Sequence, residues 1–186
     1  MQFTFNPAKT LQAAAVVLRS HKRQMSVMRL LKILYIADRE LLATTGRTLT
    51  GDRPVAMEHG PVLSRTYDYI KQEAAGATAW SPFIQKDGQS VSLAGEPPLG
   101  ELTKGEVSKL NELCERYHNV TTWDLSLLTH GFTEWANVHD KSKPKTSVPI
   151  KWEDALEAQG KKAAIPEVER GIAASKALDA AFGSST

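Results

Sequence analysis

Cysteine is all but missing: Cys114 stands alone in 186 residues, which excludes an internal disulfide and a cysteine-rich zinc site. Long apolar runs are missing too. None approaches the ~18 residues a membrane-spanning helix needs. The opening MQFTFNPAKTLQ has no basic segment leading into an apolar one, so no secretory leader is expected. Charge of one sign is not in excess. The formal charge is +2, and lysines and arginines alternate with acids instead of gathering on one face as in a nucleic-acid reader. There is no G-x-S-x-G elbow, no H-E-x-x-H helix, no phosphate-binding P-loop, no internal repeat and no low-complexity block. What remains is an ordinary globular composition, 41% apolar and 24% charged. The chain is long enough for one domain with its own core, or one domain with an arm. A cytoplasmic protein is the expectation.

Helical periodicity is what the chain has in quantity. Asn6–Pro7 opens a first helix, with proline where its missing N–H costs nothing, and Leu11, Ala14, Ala15, Leu18 and His21 recur at helical spacing. Ser26 is placed to cap a second helix through VMRLLKILYIADRELLATT to Gly46, a C-cap glycine. Val27, Leu31, Leu34, Tyr35, Leu41 and Leu42 lie on one side of it. Ile33 and Ile36 make the rest unusually apolar, so a central position is expected. GRTLTGDRPVAMEHG reads as a loop with a short extended piece at Val55–Met57. Gly60–Pro61 is expected to start a third helix running to about Ala75. WSPFIQKDGQSVSLAG reads as a hairpin turning at Asp87–Gly88.

Thr103-x-x-Glu106 is a capping box for a helix with Val107, Leu110, Cys114 and Tyr117 on one face, closed by Asn119. Thr121 or Thr122 caps WDLSLLTH, which stops at Gly131. KSKPKTSVP is a basic connector and IKWEDALEAQG a short helix. The last helix runs from Pro166 to Phe182, with Ile165, Val168, Ile172, Leu178 and Phe182 in one stripe and Gly171 and Ser175 in its middle. The expected fold is mainly α: one compact multi-helix domain over residues 1–160 with one small β-hairpin, and a C-terminal helical arm over 161–186.

Five features could carry chemistry or recognition. Asp38 projects into the apolar face of the second helix, where a carboxylate costs several kcal/mol unless it is bonded. Either it ties the following loop to the core through backbone N–H groups, the leading reading, or it lines a pocket. Glu58–His59 could supply a base and a proton carrier, but no nucleophile or metal accompanies them, and neighbours on an extended chain point to opposite sides. A turn or a partner surface is favoured there. Cys114-x3-His118 has ligand spacing, yet two ligands make no zinc site and Cys114 continues an apolar stripe. Trp123, Leu127 and His130 share a helix face, with Trp135 just beyond, and fit a core or an interface equally. The C-terminal stripe is similarly open: it can dock on its own domain or on a partner.

The stretch LLKILYIADRELLATTGRTLTGDRPVAMEHGPVLSRTYDYIK (Leu30–Lys71) combines an L-x-K-L-L-Y-x-A-D-type helix, a G-x-x-x-T-G-D loop and A-M-x-x-G-P-V before a helix bearing tyrosine. A second block, LTKGEVSKLNELCERYHNVTTWDLSLLTHGFTEW (Leu102–Trp135), carries L-x-x-x-T-H and a tryptophan. Together they resemble the Panacea domain of the SocA-like antitoxins, over roughly residues 10–160. One departure stands out. The family's second block often has E-x-P-W after T-H, and here Gly131-Phe132-Thr133-Glu134-Trp135 has no proline, which bears on how Trp135 approaches. The resemblance implies an antitoxin encoded beside its toxin, often in phage or mobile DNA, that binds the toxin directly and in one branch delivers it to a protease. Some relatives carry an added DNA-binding domain, and neither end of this chain is expected to leave room for one.

The expected function is therefore binding of a cognate toxin, with no turnover, no cofactor, no metal and no membrane. Tyr35, Asp38, Glu58, His59, Tyr67, His130, Trp135 and the C-terminal stripe are the candidate partner-binding residues. The rivals are an enzyme with a histidine and carboxylate pocket, and a stand-alone DNA-binding regulator supported by Lys141, Lys143 and Lys145.

Overall fold

The computed structural model describes residues 1–139 and 147–182. The lysines 141, 143 and 145 of the basic connector lie outside the described residues. Helix α1 (Pro7–Arg19) starts where Asn6 Oδ1 accepts from the Lys9 N–H at 2.9 Å. It is followed by a three-residue strand, β1 (Gln24–Ser26). Helix α2 (Val27–Thr45) is capped by Ser26 Oγ, which accepts from the Arg29 N–H, and ends at Gly46 in the left-handed conformation. These local caps agree with the sequence expectation, and so does the central position of α2: Leu30, Ile33, Leu34, Tyr35 and Ala37 are fully buried. It packs against α1 and, further along the chain, α4 (Lys104–Arg116), α5 (Thr122–His130) and α7 (Trp152–Ala158).

The β content corrects the expectation of one hairpin, because the described residues form two three-stranded antiparallel sheets. In the first, β4 (Ile84–Asp87) and β5 (Ser90–Leu93) form the expected hairpin at Gly88, and β1 adds to β5 with Met25 opposite Val91. In the second, β2 (Pro54–Met57) pairs with β3 (Gly60–Leu63) on one side and with β6 (Val148–Pro149) on the other. Gly60–Pro61 therefore does not start a helix. It returns the chain as a strand, with Met57 opposite Gly60, so that Glu58 and His59 are the two residues of a tight turn. Pro61 is tolerated because β3 lies at the sheet edge, where a missing N–H removes no second ladder. The third helix, α3 (Ser64–Lys71), begins only after β3.

Two carboxylates lock the G-x-x-x-T-G-D loop in place. Asp38, fully buried, accepts from the Leu49 N–H at 2.6 Å, the Thr50 N–H at 2.9 Å and the Thr50 hydroxyl. Asp52 accepts from the N–H groups of Arg53, Arg65 and Thr66 and from the Thr66 hydroxyl, and so caps α3 from outside its own helix. Between them Gly51 has φ +70°, and a Cβ there would lie 2.0 Å from the Thr4 carbonyl oxygen. Only glycine fits that crossing.

The short helix α6 (Thr133–Ala136) follows α5 and buries Glu134 completely. Its carboxylate accepts from the Tyr35 hydroxyl at 2.9 Å and from Arg39 Nε at 2.6 Å. Trp152 on α7 stacks on Tyr35 at 5.8 Å, and its indole N–H donates to the Asp52 carbonyl. The last helix, α8 (Ile165–Phe182), touches the core with its first turns only. Val168 is buried over Gly46 and Ile172 is half-buried, whereas Leu178 and Phe182 are exposed. None of the described helices is long and apolar enough to cross a membrane.

Candidate functional site

The β2–β3 turn is gripped by four side chains from two other parts of the chain. Trp135 donates its indole N–H to the Met57 carbonyl at 3.1 Å. His130 makes a ring hydrogen bond to the backbone of Glu58, one that favours the protonated ring as donation to a carbonyl does. Ser126 donates its hydroxyl to the His59 carbonyl at 2.7 Å. Lys32 donates to the Pro61 carbonyl at 2.7 Å. Strand-like backbone with spare carbonyls is thus satisfied by side chains rather than by another strand. Gly60 makes the approach possible: with φ +97°, it leaves a space where a Cβ would lie 2.5 Å from Thr129 Oγ1 and 2.7 Å from Lys32 Nζ.

Aromatic stacking stiffens the clamp. The His130 and Trp135 rings lie 4.2 Å apart and nearly parallel, and His139 covers the other face of Trp135 at 4.3 Å. Burial holds the His130 ring below the usual histidine range, with the Lys32 amine pushing the same way. The Lys32 amine is itself held down to about 7 by burial. Asp38 is pushed up to about 7 by burial, against the opposing pull of its hydroxyl and backbone donors. The phenol of Tyr35 is raised well above its ordinary range, first by burial and then by Glu134.

Among the sequence candidates, the structure brings Glu58, His59, His130 and Trp135 together. Glu58 and His59 stand exposed at the tip. The His59 ring meets Trp123 of α5 edge-on at 6.1 Å. His130 and Trp135 work beneath the tip as clamps, and Trp135 is buried. Tyr67 is half-buried, with the Lys71 amine 4.5 Å over its ring, and lines a cleft of about 330 Å³ together with Lys32, Glu58 and His59. Tyr35 and Asp38 are elsewhere, fully buried in α2, and offer no surface of their own. Asp38 is the loop anchor of the leading reading, both of its oxygens being engaged. Cys114 is a buried core residue. No group of three or more His, Cys, Asp or Glu among the described residues is placed to hold a metal ion.

One part of the site is not legible in the sequence, and another is decided only by the structure. Lys32, although it belongs to the L-x-K-L-L-Y pattern, drew no notice because a lysine on a helix commonly runs its stem along apolar surface with its head in water. Here it is 1% exposed. The second is the face of α5 that the sequence left open between core and interface. Leu125, Ser126 and Thr129 face the core, yet the opposite side carries Trp123 at 57% exposure, Leu127 at 48% and Leu128 at 39%. A surface helix that is apolar on both sides is incomplete by itself.

The profile described as antitoxin SocA-like, Panacea domain, matches residues 30–136, a narrower span than the 10–160 of the sequence resemblance. It takes in all but the first three residues of α2, the clamped turn, both carboxylate anchors, α5 and Trp135. No curated protein and no solved structure matches the chain. On this match, which covers more than half its length, the chain belongs to the SocA-like antitoxin family and carries its Panacea domain.

Proposed function

We propose that this protein is the antitoxin of a toxin–antitoxin pair and neutralises a cognate toxin by direct protein–protein binding, without turnover. The observation that carries this reading is the exposed Trp123–Leu127–Leu128 face of α5, set beside a rigid, clamped tip inside the family-matched region. Recognition surfaces of this kind work through a few large anchors in a preorganised setting. Nanomolar binding corresponds to about 12 kcal/mol, within reach of an interface of standard size. Glu58, His59, Trp123 and Leu127 are the contact residues of this reading. His130 and Trp135 hold the tip in shape, while Tyr35 and Asp38 support it from within.

The test is co-expression with the product of the neighbouring gene. The expected result is growth arrest by that product alone, relief when this chain is present, and a stable complex on purification. A neighbour that is harmless alone, or equally toxic with this chain present, overturns the reading. Neutralisation by delivery to a protease is distinguished from blocking by the toxin's level, which falls in the first case and holds in the second.

A further inference from the structure

Lys32 is a buried amine without an anionic partner among the described residues. Its side chain is 1% exposed, and it forms no ion pair with any described residue. An ammonium has three N–H donors, and the Pro61 carbonyl takes one. The neighbours that face it do not help. Among the described residues Nζ has no second acceptor: Thr129 Oγ1 is hydrogen-bonded to the Ser126 carbonyl, His130 Nε2 is itself without a partner, and the Glu58 carboxylate stands at the exposed tip. Burying a charge in this way costs several kcal/mol unless something completes its shell.

Lys32 is also one of the residues that line the cleft between α2 and the β2–β3 turn. The walls are mostly apolar, from Val27, Met28, Leu31, Val62 and Tyr67, and the mouth is bordered by Glu58 and His59. Through the His59–Trp123 edge contact that mouth is continuous with the exposed face of α5. A mostly apolar cleft with a buried lysine in its lining, beside an exposed apolar face, is complementary to one kind of occupant: a side chain with an aliphatic stem and an acidic tip, flanked by apolar residues.

We propose that the partner protein inserts an aspartate or glutamate side chain into this cleft, pairing its carboxylate with Lys32 while apolar neighbours on the partner cover Trp123 and Leu127. The proposal rests on the antitoxin reading and names the chemistry of its contact. The incoming carboxylate supplies the anion that the Lys32 amine lacks. Gly60 keeps room for the pair, because a side chain there would crowd Nζ. The occupant is taken to be a protein side chain rather than a small carboxylate, because the exposed α5 face beside the mouth needs cover that only a macromolecule gives.

The experiment measures affinity and growth rescue with the co-expressed neighbouring gene product. The wild-type chain is compared with Lys32→Met, Trp123→Ala, Leu127→Asp and the distant surface control Lys86→Ala. Thermal melts show which variants are folded. The wild-type arm decides the antitoxin reading, and the variants decide the cleft. Expected are losses of about thirtyfold or more in affinity for Lys32→Met and Trp123→Ala, a comparable loss for Leu127→Asp, and none for Lys86→Ala. Wild-type rescue with undiminished binding by folded Lys32→Met overturns the acidic anchor. Undiminished binding by Trp123→Ala and Leu127→Asp, which are surface changes that leave the core alone, overturns the docking face. Acetate at millimolar concentration stabilising the wild type but not Lys32→Met, with toxin affinity unchanged between them, assigns the cleft to a small carboxylate and overturns the proposal.

Discussion

At the scale of single residues, two buried charges on α2 illustrate opposite solutions to one problem. Asp38 was readable from the sequence because a helical wheel puts an acid inside an apolar face, and the short loop that follows supplies its donors: Leu49 and Thr50 lie only 11 and 12 residues on. Lys32 was not readable, because its acceptor, the Pro61 carbonyl, lies 29 residues away on a strand the sequence did not announce. The difference has a measurable consequence. The Lys32 amine is held at about 7 in the folded chain against 10.5 when unfolded. Between those values the unfolded chain binds a proton that the folded chain does not, so stability rises with pH by up to ~1.4 kcal/mol per unit from this group. Below about pH 7 both states carry the proton and the burial cost stands in full. Asp38, pushed up to about 7, has largely finished titrating across that window. Urea denaturation at pH 7.5, 8.5 and 9.5 should therefore show Lys32→Met most advantaged over the wild type at the lowest pH, with the gap closing as pH rises. A gap that stays constant shows that the amine remains charged when folded.

At the scale of elements, what could be read locally was read correctly and what depended on distant pairing was not. Helix starts are local events. Asn6, Ser26, Thr103 and Thr121 each accept from an N–H three residues on, and that spacing is visible in the sequence. Strands β1 and β6 have three and two residues, too few to show an alternation, and they exist only because β5 and β2 offer ladders to pair with. The β2–β3 turn was misjudged for a related reason. Gly-Pro before a helix-like run resembles a helix start, and the side chains that clasp the turn come from residues 32, 126, 130 and 135.

Gly60 is the point where that clasp is most easily broken. Gly60→Ala places a Cβ at a positive φ and within 2.7 Å of both Thr129 Oγ1 and Lys32 Nζ. The combined strain and displacement should cost about 2–4 kcal/mol. The loss is expected in urea denaturation, together with faster amide exchange along β2 and β3 and weaker binding to the partner. A Gly60→Ala protein as stable as the wild type, with an unchanged exchange pattern, contradicts the clasp.

At the scale of the whole molecule, the family match and the core do not end together. The match stops at residue 136, but Trp152 lies against Tyr35 at the centre of α2, Ala155 and Leu156 are fully buried, and β6 completes the second sheet. The 147–160 segment is thus part of the same packing unit, tied to the two loop anchors through the Trp152 bond to the Asp52 carbonyl. Helix α8 divides differently. Its first turns are docked through Val168, while beyond Ile172 its apolar residues are exposed, Phe182 at 76%.

Three truncations separate these roles. A chain ending at residue 173 keeps Val168 and Ile172, the buried and half-buried apolar residues of α8, and should melt close to the full-length protein. One ending at residue 160 uncovers Gly46 beneath Val168 and should lose about 1–3 kcal/mol, the scale of burying one aliphatic side chain. One ending at residue 139 removes Trp152, whose loss alone is worth about 3–5 kcal/mol, along with β6 and Leu156. Against a total stability of about 5–15 kcal/mol, that chain should show no cooperative melt. If the 139-residue chain instead melts cooperatively near the full-length temperature, the matched region folds without α7, and the stacking of Trp152 on Tyr35 is an addition to the domain rather than part of what holds it together.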